Sequence, residues 1–135
     1  MTKRLTSVFM AAAFAAAPVP VLAHHAVQVV FDVNKPVTVT GAVTSVEWTN
    51  PHAYITVDVR VDKDTVQHWV FELAGSGALR QAGLTLTDRS VVKPGDIVTV
   101  EGIGAKDGTT TGFLYKLRVA DGHVFDLLNK APRAR

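Results

Sequence analysis

The chain has 135 residues, no cysteine, 14 basic and 12 acidic residues, and a formal net charge of +2. That length suits one domain, and the missing cysteine excludes disulfides and thiolate metal sites, so any core must hold by packing alone. The basic excess is no sign of a nucleic-acid binder: Lys3 and Arg4 stand at one end and Lys130, Arg133 and Arg135 at the other, which leaves the middle mildly acidic.

Residues 1–23 read as a secretory signal peptide. A basic start, Lys3-Arg4, precedes an alanine-rich apolar run, Pro18 and Pro20 break that run, and Val21-Leu22-Ala23 has the small-residue pattern that signal peptidase cuts behind. The run is too short for a comfortable bilayer span, which needs about 20 apolar residues. No later run is longer, so no membrane span is expected in the mature chain. Cleavage after Ala23 leaves 112 residues beginning His24-His25, in the periplasm or outside the cell.

The leading segment His24–Lys35 contains Val27–Phe31, read as a short strand. Pro36 opens a β-rich run to Trp48, with Gly41 marking a bulge or tight bend. Thr49-Asn50-Pro51 is a turn. From His52 to Val61, Ile55, Val57, Val59 and Val61 alternate with Tyr54, Thr56, Asp58 and Arg60, the period of a half-buried strand. Asp62-Lys63-Asp64 turns the chain into a third strand, Thr65–Leu73. There Gln67, Trp69, Phe71 and Leu73 share one face and Val66, His68, Val70 and Glu72 the other.

Residues 76–81 read as a short helix, capped by Ser76 and ended by Gly83. Strands follow at Ile97–Gly102 and Gly112–Val119, and Asp121-Gly122 turns into a last strand at His123–Phe125. Three strands, a helix, then two or three strands is the order of an OB-like Greek-key barrel, with an open sandwich as the rival arrangement. The expected domain is 24–128, with 129–135 a disordered basic tail.

Phe31-Asp32, Lys35–Gly41, Glu47-Trp48-Thr49-Asn50-Pro51-His52, Lys93-Pro94-Gly95-Asp96 and Ala105–Gly108, placed behind a signal peptide and His24-His25, form one pattern. It resembles a family of small exported bacterial proteins of unknown function. The resemblance implies an exported β-rich domain and no established activity.

An N-terminal histidine offers an α-amino and a ring nitrogen from one residue, and nitrogen-rich sites suit Cu(II). His24, His25 and His52 are therefore candidate Cu(II) ligands. Their ligand type, though not their surrounding sequence, is similar to the histidine brace of periplasmic copper carriers and polysaccharide monooxygenases. The plainer readings are a frayed terminus for His24-His25 and a turn-bonding role for His52. Trp48 and Tyr54 are candidates for stacking a flat ligand, against the alternative that Trp48 caps the barrel end.

Glu47, Asp58 and Glu72 would pair as acid and base only by accident of folding, and no nucleophile motif is present, so no enzyme activity is expected. The alternative to copper is a metal-free module binding a small molecule, a glycan or a protein partner on the barrel face. A copper oxygenase would need a more extended substrate surface than 112 residues provide. Nothing in the sequence bears on oligomeric state.

Overall fold

The computed structural model describes residues 23–49, 51–84 and 91–128. The expected signal peptide, apart from Ala23, and the expected basic tail lie outside the described residues. Two helices and six strands follow in order: α1 (Ala23–Val30), β1 (Phe31–Trp48), β2 (Ala53–Arg60), β3 (Val66–Glu72), α2 (Ser76–Gln81), β4 (Ile97–Ala105), β5 (Thr111–Val119) and β6 (Val124–Asp126). No helix among the described residues is long and apolar enough to cross a membrane.

The strands close as an OB-like barrel. β1 pairs antiparallel with both β2 and β4, β2 with β3, and β4 with β5. A parallel pairing of β3 with β5 over Val70–Thr111, Phe71–Gly112 and Glu72–Phe113 shuts the ring. β6 then takes the rest of the same β5 edge, at Lys116 to Arg118.

β1 serves two neighbours because it is 18 residues long and bends. Its first half lies on β4, its second half on β2, and Ala42 pairs with both Ile97 and Asp58. Gly41 sits at this crossing. A Cβ there would come within 2.2 Å of the Asp58 carbonyl oxygen, so the close approach of two backbones requires glycine. The register slip itself falls between Val43 and Ser45, two residues beyond the position that the sequence suggested.

The alternation expected of β2 and β3 is present. Ile55, Val57 and Phe71 are 0–1% exposed, while Tyr54, Thr56, Asp58, His68 and Glu72 take the other face. Val43, Val98, Val100, Leu114 and Leu117 complete the interior. Each such side chain contributes about 1.5–3 kcal/mol by leaving water.

Leu79 of α2 and Leu84 close one end of this core. α2 ends as expected, with Gly83 at φ +88° and the Leu84 N–H donating to the Leu79 carbonyl at 2.8 Å. Its start differs: the N-cap is Gly75, Ser76 is the first helical residue, and no side chain caps it.

The other departure is at the N-terminal end, where Val27–Val30 is helical rather than a strand. β4 ends at Ala105, opposite Phe31, so residues before Phe31 have no strand to pair with. A helix satisfies their backbone internally. Lys106 completes it, donating its N–H to Val30 O at 3.0 Å and its ammonium to Gln28 O at 2.5 Å. A cation at a helix C-terminus is favourable. Pairing with β4 resumes at Pro36 after a register shift, where a residue without an N–H is tolerated.

Three turns are tied by aspartates. Asp62 Oδ1 accepts the Asp64 and Thr65 N–H groups at 2.9 and 2.8 Å. Asp96 accepts the Lys93 N–H at 3.0 Å, and Asp107 the Thr109 N–H at 3.0 Å. These backbone donors hold each carboxyl below its usual value. The unfolded chain titrates near 3.9. The stabilisation is therefore complete above about pH 4 and disappears as pH falls through the lower folded values. Urea midpoints measured from pH 6 to 2 should drop below about pH 4. The combined Asp62→Asn, Asp96→Asn, Asp107→Asn variant should show a shallower drop, because the amide oxygen still accepts but no longer titrates.

Candidate functional site

The outer face of β1, β2, β3 and β5 is built in cross-strand rows. One row runs Glu47, Tyr54, Glu72, Phe113. His52 stands beside it, just before β2, where the Thr49 hydroxyl closes the turn by donating to the His52 carbonyl. That bond fits the plain reading of the β1–β2 turn but uses only the backbone of His52, so its ring is free for another task.

Nδ1 of His52 lies 2.5 Å from Glu72 Oε1. The approach is close but not a well-directed hydrogen bond, and Nδ1 itself is sealed from solvent. The side chain as a whole is 42% exposed, so its accessible surface lies on the edge away from Nδ1. Further along the same face, His68 Nδ1 contacts Asp58 Oδ1 at 2.6 Å, with the His68 side chain 72% exposed. Two histidines thus turn Nδ1 toward a carboxylate across the β2–β3 ribbon.

The N-terminal segment reaches this neighbourhood along the barrel seam. Phe31, the first residue of β1 directly after α1, is 3% exposed and lies against Phe113 with ring centroids 5.8 Å apart. Phe113 pairs with Glu72, and Glu72 contacts His52. His24 and His25 lie in the first turn of α1; their side chains lie outside the described residues. Among the described residues, no three histidine, aspartate or glutamate side chains gather closely enough to hold a metal.

Trp48 and Tyr54 are not brought together. Trp48 pairs with buried Ala53 and packs against the core, while Tyr54 stands on the outer face between Glu47 and Glu72. Trp69 also turns inward, stacked on Phe71 at 5.4 Å. Glu47, Asp58 and Glu72 form no acid–base pair with one another: Asp58 holds His68, Glu72 holds His52, and Tyr54 stands between the two glutamates.

Glu72 is the residue whose role the sequence reading missed. With Lys63 as the tip of the β2–β3 hairpin, residues equally far from it are partners, which pairs Tyr54 with Glu72 and Asp58 with His68. That symmetry puts Glu72 beside His52.

A groove of about 410 Å³ crosses the same outer face where β1 bends, lined by Thr40, Asp58, Arg60, Val66 and Ile97 among others.

The sequence profile of a family of unknown function, DUF6152, matches residues 12–115. Among solved structures, the mitochondrial single-stranded DNA binding protein Rim1 of S. cerevisiae is similar in fold. It has a TM-score of 0.50 and 12% sequence identity, over 64% of this chain and 93% of that one. No curated protein matches significantly. The chain belongs to the DUF6152 family.

Proposed function

We propose that this DUF6152 member is an exported binding protein that takes Cu(II) at its mature N-terminus. Its ligands are the α-amino group and ring of His24, the ring of His25, and His52. The observation that carries this reading is the continuity of the seam: Phe31 to Phe113, Phe113 to Glu72, Glu72 to His52. His24 lies seven positions before Phe31, about 10 Å along a helix, so the terminus is tethered within reach of that seam. His52 with its Nδ1 on a carboxylate has the form of a metal-ligating histidine, whose second nitrogen usually meets such a partner. The protein binds and does not catalyse.

Single-stranded DNA, the ligand of the similar protein Rim1, suits this face poorly. The rows across β1, β2 and β3 carry Glu47, Asp58 and Glu72, with Tyr54 as their one aromatic group. Strand-binding grooves are basic and offer several stacking rings. The second reading, a metal-free module, is favoured by the groove beside Arg60 and Ile97, since barrels of this type bind ligands on the face of their second and third strands.

Intact-mass measurement of the exported protein, with and without added Cu(II), tests the main reading. The expected mass is that of residues 24–135, increasing by one copper per chain. A chain that retains Met1, or starts at any residue other than His24, eliminates the copper site and leaves the module.

A further inference from the structure

We infer that Glu72 holds His52 in the tautomer with the proton on Nδ1, so that a bare Nε2 on the exposed edge is the nitrogen that meets the metal. The inference rests on the copper reading above and names the positioning residue of that site. An ionised carboxylate only accepts hydrogen bonds. At 2.5 Å the carboxylate's negative charge favours the ring's N–H dipole on the nearer nitrogen even without hydrogen-bond alignment, so in the neutral ring the proton belongs on Nδ1. The proton carried by one ring nitrogen decides which nitrogen can coordinate.

Neighbouring residues fix both partners. Glu72 is the last residue of β3, held between Tyr54 on β2 and Phe113 on β5, and its side chain is only 20% exposed. His52 is fixed by the Thr49 hydroxyl on its carbonyl and by the neighbouring Ala53 carbonyl, which accepts the Leu73 N–H at 2.8 Å. The backbone on both sides of the contact is therefore held, and the Glu72 carboxylate beside Nδ1 is what orients the ring. His68 with Asp58 has the same polarity, but its 72% exposure lets water compete, and it serves as an internal comparison.

The test uses the mature protein. Long-range ¹H–¹⁵N spectra at about pH 8, where an ordinary imidazole is neutral, read the tautomer without metal. His52 should be in the Nδ1–H form in the native protein, should keep part of that preference in Glu72→Gln, whose amide oxygen still presents a negative dipole end, and should lose it in Glu72→Ala. Competition titrations then read Cu(II) affinity. Glu72→Ala should bind about 10–100-fold more weakly, the usual loss for a ligand's outer partner, with Glu72→Gln recovering part of it and circular dichroism unchanged in both.

An Nε2–H tautomer in the metal-free native protein overturns the inference whatever copper does. Equal copper affinity in the native protein and Glu72→Ala overturns it as well. Native protein with the Nδ1–H tautomer that binds no copper at His52 refutes the copper reading and the metal role inferred for Nε2. The metal-free spectra separate that failure from a wrong tautomer.

Discussion

Adding one residue ahead of His24 in the mature chain should lower Cu(II) affinity by about 100-fold or more, beyond the loss typical of an outer-shell partner. The extension moves the free amine off the histidine, so one residue no longer supplies two nitrogens. His52→Ala should cost a similar factor by removing the arm from the barrel. Native affinity should favour Cu(II) over Zn(II), the usual divalent order at nitrogen sites. It should weaken as pH falls below about 6.5, because protons compete for imidazole and amine nitrogens. Neither change removes a core side chain, so thermal unfolding of the metal-free forms should be nearly unchanged. Calorimetry that returns one affinity for all three forms would remove the N-terminus as the site and direct attention to the groove beside Arg60.

The second large effect is on stability. Phe71→Ala should cost about 3–5 kcal/mol, a substantial share of the roughly 5–15 kcal/mol that holds such a domain together. Phe71 is 0% exposed, stacks on Trp69, and sits where β3 meets β5. Its ring also fills the space left by Gly112, where a Cβ would lie 2.6 Å from the ring. Gly112→Ala should therefore destabilise by overpacking, about 1–3 kcal/mol. Combined with Phe71→Leu it should cost less than the sum of the single effects, because the two share one volume. Urea unfolding of the four proteins measures this directly. Additive costs would mean that ring and glycine do not compete for space.

Much of the barrel was legible in the sequence, for identifiable reasons. β2 and β3 alternate strictly, and the helix between β3 and β4 is bounded by Gly75 and Gly83, so element order followed from period and turn chemistry. The N-terminal helix was not legible. Val27 to Phe31 has strand composition, and only the end of β4 at Ala105 removes its partner. The candidate site was half legible. His52 stood out by its place after a turn, whereas Glu72 reaches it only through the hairpin register that pairs Glu72 with Tyr54, 18 residues earlier. Trp48 and Tyr54 looked alike as aromatics, but the pleat sends them to opposite faces.

The barrel's closure is short: three parallel residue pairs, Val70 to Glu72 against Thr111 to Phe113, beyond which β5 turns its edge over to β6. It is the shortest pairing in the ring, so the cylinder should open there at a cost below that of global unfolding. His52 rests on one lip through Glu72, and the start of β1, directly after the N-terminal helix, rests on the other through Phe31 and Phe113. An ion gripped by both would act as a clasp across the opening. Its binding energy would then appear as slower breathing of the seam and a higher melting temperature, growing with the logarithm of ion concentration.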